Sequence, residues 1–253
     1  MEFANKLLEK VGKEYLSYSS IKYARQDMRL WEMYMAGQLK KESDALQFGS
    51  LYDCLLFEED KFDERFVVFN DLDIVQEIGG KNPRATKEYR LWKSELMDQV
   101  GTRTLCSVDD HTMAIDMITR LEECGLRETY LMGEFQVEFN AFIGDVPVRG
   151  FLDVKGDHFI TDSKSTKSIN GFKYDIFSFG YDIQAYIYTS IFPNRDYFWV
   201  AQEKSYPYLP ALVRASEETI NSGQYKFEDA VRRINNYLHS NESTNMYFAE
   251  FIV

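Results

Sequence analysis

One short run of the sequence combines a carboxylate and an ammonium group at a spacing suited to chemistry. In FITDSKST, Asp162 and Lys164 are two residues apart on a predicted strand, so their side chains leave the same face of a sheet. Asp153 lies near the end of the preceding predicted strand. The KGD turn at residues 155–157 predicts that the two strands are antiparallel neighbours, which brings the second carboxylate alongside.

These groups are typical of a metal site that acts on phosphate. Two carboxylates, Asp153 and Asp162, together with the backbone carbonyl of Ser163, suit a hard divalent cation such as Mg²⁺ or Mn²⁺. Lys164 would orient or help to deprotonate an attacking water molecule and offset the negative charge that develops on phosphorus.

The Asp-x-Lys spacing is weak evidence by itself, because chance also produces an acid two residues before a lysine at Glu59–Lys61 and Asp153–Lys155. The order of elements strengthens it. A strand ending in Asp, a tight turn and the Asp-x-Lys strand precede a helix that presents Gln184 and Tyr188 one turn apart. A register that uses Asp145 with residues 153–155 fits less well, because Asp145 lies in a Gly-Asp turn and no helix follows.

The elements that must position these groups are predicted from periodicity and turn signals. Residues 1–125 are mainly helical, residues 130–215 form the sheet and residues 217–239 form a terminal helix. Residues 62–69 are predicted to be a short strand or extended connection, and residues 71–83 a loop. The predicted helices are 17–37, 45–57, 85–99, 108–124 and 180–192, and the predicted strands are 134–144, 146–154, 158–164, 196–204 and 211–215.

Composition limits the class of protein. With 253 residues and 45% hydrophobic residues, the chain can bury a full core, and we expect a single domain over residues 1–253. The three cysteines, Cys54, Cys106 and Cys124, are far apart and lack CxxC spacing, which argues against a structural zinc site and a disulfide framework. No apolar stretch is long enough for a signal or a membrane span, so we expect a cytoplasmic protein without a membrane partner.

The net charge of −12 argues against a DNA-binding protein that relies on a broad basic surface. An acidic shell can still surround a local basic channel, and carboxylates loaded with divalent cations attract phosphate. If the phosphate belongs to a nucleic acid, we expect its binding to be weak without metal and steeply dependent on salt. A set of aromatic side chains after the catalytic strands is predicted to belong to the core rather than to a base-stacking platform. These are Tyr174, Phe177, Phe179, Tyr181 and Tyr186.

Taken in order, the motifs resemble the PD-(D/E)XK nuclease superfamily, and within it the phage-type recombination exonucleases similar to RecE, lambda exonuclease and the RecB nuclease domain. The resemblance extends across most of the chain. Its matching segments are LSYSSIK, ALQFGSLYDCLLFEEDKFDERFVV, VRGFLDV, ITDSKST, GYDIQAYIY and WVAQEKSYPY.

The resemblance implies roles for five residues. Asp153 and Asp162 would bind the metal, and Lys164 would be the catalytic lysine. Gln184 and Tyr188 would lie near the active site and the DNA.

One position departs from the family pattern. Members usually carry a His in the helix that contains the FG-S/T motif, and Asp53 stands at the aligned position. A buried acid in this apolar run needs a partner, which a divalent ion would supply, so Asp53 is predicted to be a further metal ligand. The family's additional Glu before the first catalytic strand matches either Glu134 or Glu138.

The fold that the resemblance implies is α/β, a restriction-endonuclease-like central mixed sheet flanked by helices, with helical N-terminal additions. The implied activity is Mg²⁺-dependent hydrolysis of linear duplex DNA, 5′ to 3′, in phage or prophage recombination, with Mn²⁺ able to substitute. The implied partners are DNA, a single-strand annealing protein and further copies of the chain. Two alternatives stay open: a catalytically silent nucleic-acid-binding module of the same fold, and a single-strand DNA nuclease similar to those of CRISPR adaptation, although the latter's iron–sulfur cysteine cluster is missing.

Overall fold

Several helices begin at a Ser or Thr whose side chain accepts a hydrogen bond from a backbone N–H of the first turn. These caps are Ser17, Ser43, Thr86, Ser107 and Ser216. A computed structural model of the protein describes residues 2–39 and 43–240. Its helices are α1 (Glu2–Val11), α2 (Tyr18–Gln26), α3 (Met28–Met35), α4 (Asp44–Phe57), α5 (Phe62–Arg65), α6 (Leu72–Ile78), α7 (Lys87–Val100), α8 (Val108–Glu123), α9 (Leu126–Tyr130), α10 (Ile169–Ser178), α11 (Tyr181–Ile191) and α12 (Glu217–His239).

The strands form a mixed five-stranded sheet and a small separate pair. Strand order in the larger sheet is β3-β4-β5-β6-β7, and all neighbours are antiparallel except β5 and β6. The parallel β5–β6 pair requires a crossover, which α10 and α11 supply. The strands are β1 (Phe66–Phe69), β2 (Thr104–Ser107), β3 (Glu134–Ile143), β4 (Val146–Lys155), β5 (Phe159–Thr166), β6 (Asp196–Glu203) and β7 (Pro210–Arg214).

Hydrophobic cores lie on both faces of the larger sheet. Side chains alternate along β6, so Trp199 packs with one core and its neighbour Val200 packs with the other. The first core includes residues of α1, α2, α3, α10, α11 and α12. The second includes residues of α4, α8 and the β1–β2 pair. The predicted architecture, a central mixed sheet flanked by helices, is confirmed.

Three local predictions were wrong. The single helix predicted for residues 17–37 is two helices, because Asp27 is extended and its side chain accepts a hydrogen bond from the backbone N–H of Arg29 at 2.7 Å, which caps α3. The predicted loop at 71–83 contains α6, which ends at Gly79 with a φ of 65°. Helix α10 was not predicted. In the part of the chain that the structure describes, no helix has both the length and the apolar character needed to cross a membrane.

Candidate active site

The site lies where β4 and β5 separate. The two strands form backbone pairs only beside their connecting turn, at Val154 with Thr161 and Lys155 with Ile160. Farther along, the backbone N–H of Ser163 donates to the side chain of Asp153 rather than to a paired strand, with a distance of 2.9 Å to Oδ2.

A buried N–H needs an acceptor, and here the Asp153 carboxylate provides it. Where the two strands diverge, this hydrogen bond holds the Asp153 side chain beside Ser163 of β5. This is the arrangement that the antiparallel prediction required.

Asp162 and Lys164 meet on the face of β5 opposite to Ser163. Asp162 is buried, with 1% of its side chain exposed, and its Oδ2 contacts the ammonium of Lys164. Lys164 Nζ also donates to the carbonyl oxygen of Ser163 at 3.2 Å. The lysine therefore lies over two of the oxygen atoms that the sequence predicts to be metal ligands.

Helix α11 holds Asp162 from the side. Gln184 Nε2 donates to Asp162 Oδ1 at 2.8 Å and to the hydroxyl of Tyr188 at 3.2 Å. The Tyr188 hydroxyl donates in turn to the carbonyl oxygen of Phe151 on β4, at 2.8 Å. Because the two side chains are one helical turn apart, both reach the sheet and connect β5 to β4. Among the described residues Gln184 Oε1 has no hydrogen-bond partner.

Asp53 approaches the same place from α4 on the other face. Burial raises its pKa well above the usual value, and the nearby Asp153 and Asp162 raise it further, against an opposing effect of Lys164. Within the described chain Asp53 makes no hydrogen bond or ion pair. Such a carboxylate requires either a proton or a cation.

Burial and the neighbouring carboxylates also shift the pKa values of Asp162 and Lys164. Burial raises the pKa of Asp162 to about 7, although Lys164 opposes the rise and Asp153 adds to it. Burial alone would lower the pKa of Lys164, but the carboxylates of Asp162 and Asp153 raise it above its usual range. Lys164 is therefore cationic at neutral pH and acts as a donor of hydrogen bonds rather than as a base.

The donor atoms are chemically suited to a hard divalent cation. Asp162 Oδ2 is contacted by the Lys164 ammonium, and the carbonyl of Ser163 and the carboxylate of Asp153 lie near it. Across residues 2–39 and 43–240, no three carboxylate, imidazole or thiolate side chains converge into a metal-binding group by themselves. The set that fits is therefore two carboxylates completed by a backbone carbonyl, with Asp53 as an acid nearby.

Comparison with known proteins identifies the family of this chain. Residues 17–246 match the family described as "PDDEXK-like domain of unknown function (DUF3799)". The chain belongs to this family. The predicted membership of the PD-(D/E)XK superfamily is thus confirmed, and the chain is a nuclease-like domain.

A solved structure shares the fold of this PDDEXK-like domain. A crystal structure from Eubacterium rectale, described as a candidate exonuclease, has a TM-score of 0.63 and 17% identity and covers 98% of this chain and 94% of its own. A second crystal structure, of SSO0001, covers 73% of this chain and 85% of its own at 15% identity, but its TM-score of 0.31 supports no argument. No curated protein matches the sequence.

The two candidates for the additional Glu that the resemblance implies, Glu134 and Glu138, are each paired elsewhere. Glu134 accepts from Lys155 Nζ at 2.5 Å, and Glu138 pairs with Arg149 at 2.7 Å. Both lie on β3, and neither forms a hydrogen bond or ion pair with the Asp153–Asp162 cluster in the part of the chain that the structure describes. A role for either would require a change of partner.

Sequence reasoning missed the buried hydrogen bonds that support β6, the strand beside β5. The Tyr52 hydroxyl on α4 donates to Gln202 Oε1 at 2.6 Å, and Gln202 Nε2 donates to the carbonyl of Met117 at 2.8 Å. Both bonds are buried and tie β6 to α4 and α8, the helices behind the site. A signal was available, because a glutamine inside the apolar run WVAQ needs buried partners.

The aromatic residues after β5 depart from the prediction that they are core residues. Tyr181 and Tyr186 are partly buried and pack against the first core. The other three rings are largely exposed, at 66% for Tyr174, 46% for Phe177 and 46% for Phe179. The prediction was wrong for these three, because the apolar pattern does not say which side of α10 faces the sheet.

Proposed function

We propose that the protein is a divalent-metal-dependent deoxyribonuclease that degrades linear duplex DNA from its ends. The observation that carries the proposal is the meeting of Asp153, Asp162 and Lys164 where β4 and β5 separate. Membership of the PDDEXK-like family and the fold shared with the candidate exonuclease support it.

The residues of this chain have distinct parts in the proposed mechanism. Asp153, Asp162 and the carbonyl of Ser163 would hold Mg²⁺, or Mn²⁺ in its place, and Asp53 would approach from α4. A bound ion of this kind polarises the phosphodiester and lowers the pKa of a water molecule. The role of the side chains is to hold this donor set in one geometry before DNA arrives.

Lys164 and α11 complete the site in this proposal. Lys164 remains cationic, so it donates to a phosphate oxygen and offsets the charge that develops on phosphorus. Gln184 holds Asp162 through Oδ1, while Oδ2 contacts the ammonium of Lys164. Tyr188 orients the Gln184 amide and accepts a hydrogen bond from it.

The proposal extends to the direction of cleavage, the biological role and the oligomeric state. We expect cleavage from 5′ to 3′ in phage or prophage recombination, beside a single-strand annealing protein, as the resemblance to RecE-like exonucleases implies. We also expect several copies of the chain to enclose the DNA, because a chain with a net charge of −12 needs help to retain a polyanion.

Digestion of end-labelled linear duplex, compared with covalently closed circles, tests the activity. Linear DNA should be degraded in Mg²⁺ and spared in EDTA, whereas circles should survive in both. A 5′ label should be released early and a 3′ label late. Cleavage of closed circles would indicate an endonuclease, and cleavage in EDTA would refute the metal mechanism.

The non-catalytic alternative has its own result in the same assay. A rise in melting temperature with Mg²⁺ or Mn²⁺, without any degradation of linear or single-stranded DNA, would identify a silent binding module. Lys164→Ala serves as the control for contaminating nucleases, because any digestion that survives in this variant does not come from the proposed site.

A further inference from the structure

Beside the candidate site, exposed aromatic rings alternate with lysines. We call this the aromatic–lysine surface and define it by Tyr174, Phe177, Phe179, Lys22, Lys173 and Lys226. Each ring has a lysine ammonium near its centroid. The pairs are Lys173 with Tyr174 at 5.0 Å, Lys226 with Phe177 at 5.4 Å and Lys22 with Phe179 at 5.8 Å.

The exposure of these rings needs an explanation. Tyr174 is 66% exposed, and Phe177 and Phe179 are each 46% exposed. Grouped apolar rings on the surface of a soluble protein weaken its solubility, and they mark interaction sites when polar groups surround them. Tyr174 and Phe177 lie one turn apart on α10, and Phe179 follows at the end of that helix.

The backbone beneath the rings is held in place. Lys226 Nζ donates to the carbonyl of Phe177 at 3.1 Å, and the Tyr18 hydroxyl donates to the carbonyl of Phe179 at 2.6 Å. These bonds anchor the end of α10 to α12 and to α2. A surface fixed in this way presents its rings without an ordering cost when a ligand binds.

One ring of the surface, that of Phe179, connects through Tyr181 to the proposed catalytic lysine. The ring of Phe179 lies 5.8 Å from the ring of Tyr181, and Lys164 Nζ lies 5.3 Å from the centroid of Tyr181. A chain of rings therefore leads from Phe179 to the atom that contacts Asp162. A polymer bound along the rings would have one of its units at the site.

Charge indicates the class of polymer. The protein carries a net charge of −12, yet each exposed ring of this surface is accompanied by a lysine. Lys226 also pairs with Asp182, whereas Lys173 has no ion pair within the described residues. Cations and flat apolar faces at alternating positions match a ligand with phosphates and exposed bases.

We infer that the aromatic–lysine surface binds an unpaired segment of the DNA substrate, with bases stacked on the rings and phosphates beside the lysines. Unpaired bases present a free face for stacking, whereas a duplex hides those faces inside its helix. The inference rests on the proposed nuclease function for the identity of the ligand. It adds that the substrate enters the site with a single-stranded end.

The test measures binding without cleavage, in EDTA, by fluorescence anisotropy of a labelled oligo-dT and of an abasic oligonucleotide of equal length. Phe177→Leu keeps an apolar side chain but removes the aromatic ring. Phe177→Tyr is the conservative variant, because it keeps an aromatic ring at this position. Tyr174→Ala changes a highly exposed position that tolerates truncation. Phe142→Ala is the matched control, because Phe142 is 59% exposed and no lysine or arginine of the described chain lies over its ring.

We expect Phe177→Leu and Tyr174→Ala each to weaken binding of oligo-dT roughly tenfold, since stacking contributes about 1–3 kcal/mol per base. Phe177→Tyr and Phe142→Ala should bind as the wild type does. Binding of the abasic strand should be equally weak in all proteins, because it offers phosphates without bases. On DNA with a single-stranded end, Phe177→Leu should also raise KM.

Three results would overturn the inference: equal affinity of wild type and Phe177→Leu for oligo-dT, an equal loss in Phe142→Ala, or no preference of wild type for oligo-dT over the abasic strand. A change of oligomeric state in Phe177→Leu by sedimentation, with unchanged DNA affinity, would assign the surface to contact between copies. The two proposals fail separately, because a wild type that stacks oligo-dT but never cuts in Mg²⁺ refutes only the nuclease function.

Discussion

Two buried acid–lysine pairs in this protein have the same residue types and nearly the same burial. The side chains of Asp162 and Lys164 are 1% and 20% exposed, and those of Asp182 and Lys226 are 0% and 21% exposed. Asp182 Oδ2 accepts from Lys226 Nζ and from Ser222 Oγ, both at 2.7 Å. This second pair joins α11 to α12, and its charges balance.

The surroundings of the first pair are different. Two more carboxylates, Asp53 and Asp153, lie near Asp162, and Lys164 is the cation in contact with it. The carboxylates therefore outnumber the lysine, and their surplus negative charge is removed by a proton or by a cation from solution. The comparison shows two uses of a buried acid–lysine pair. The balanced pair, Asp182 with Lys226, joins two helices, whereas the unbalanced pair, Asp162 with Lys164, retains the capacity to bind a cation.

Substitution of either member of the unbalanced pair, Asp162 or Lys164, should cause the largest loss of hydrolytic activity. Asp162→Asn and Lys164→Ala should each lower the rate of DNA hydrolysis by roughly a thousandfold or more, because they change charge at the reacting phosphate. Circular dichroism should show an intact fold. Turnover near the wild-type rate in either purified variant would remove the distinction between the two pairs.

A substitution in the balanced pair, Asp182 with Lys226, should instead lower the stability of the fold. Asp182→Asn should lower the free energy of unfolding by about 3 kcal/mol, because it leaves Lys226 without its buried partner, while the folded enzyme keeps most of its hydrolytic rate. Urea unfolding in EDTA measures the first quantity, and Asp162→Asn is the comparison. If Asp162→Asn proved the more destabilising variant, the structural and functional assignments would be reversed.

Asp53 tests whether the surplus charge serves metal binding. Asp53→Ala should weaken the binding of Mn²⁺ by about 10- to 100-fold and reduce activity, while the metal-free protein folds at least as well because carboxylate repulsion is relieved. Asp53→His should retain more affinity than Asp53→Ala, since imidazole also binds Mn²⁺. Calorimetric titration of Mn²⁺ into the three proteins decides the matter. Unchanged affinity in Asp53→Ala would assign Asp53 a structural role.

The smallest effect should appear in the dependence of stability on pH. The folded pKa values of Asp53 and Asp162 are raised, the latter to about 7. A carboxyl group of this kind stabilises the fold below its unfolded pKa, near about 4, and that contribution is lost as the pH rises through the folded pKa.

In EDTA, the melting temperature of the wild type should therefore fall by a few degrees as the pH rises from about 5 to about 8. Asp53→Asn should show a shallower fall, because one of the two raised groups is gone. Addition of Mg²⁺ at the higher pH should restore stability to the wild type. If the melting temperature of the wild type depended on pH as little as that of Asp53→Asn, the raised pKa of Asp53 would be contradicted.

Much of the site was predictable because its geometry is local in sequence. The alternation of a strand places Asp162 and Lys164 on one face, and a tight turn makes β4 and β5 neighbours. The terminal helix was predicted for residues 217–239, and α12 spans Glu217–His239. Caps and periodicity suffice for such elements, since they do not depend on distant partners.

The features of the fold and the site that were not predicted depend mostly on contacts between residues far apart in sequence. The bond between Tyr52 and Gln202 joins positions 150 residues apart, and no local pattern contains it. Likewise, the exposure of Phe177 depends on how α10 packs against α11 and β6, not on the residues adjacent to Phe177. The kink at Asp27 was readable in principle, because an Asp that caps a new helix also ends the one before it.

The side-chain bond between Ser163 and Asp153 gives the protein a natural spectroscopic reporter. In an ordinary ladder the Ser163 amide would be insensitive to chemistry at the site, but here its hydrogen is bonded to the Asp153 carboxylate. Loading of that carboxylate by a cation, or its protonation, must alter the resonance frequency and the solvent exchange rate of this one amide. A single assigned nitrogen signal can thus follow occupancy of the site in the absence of any substrate.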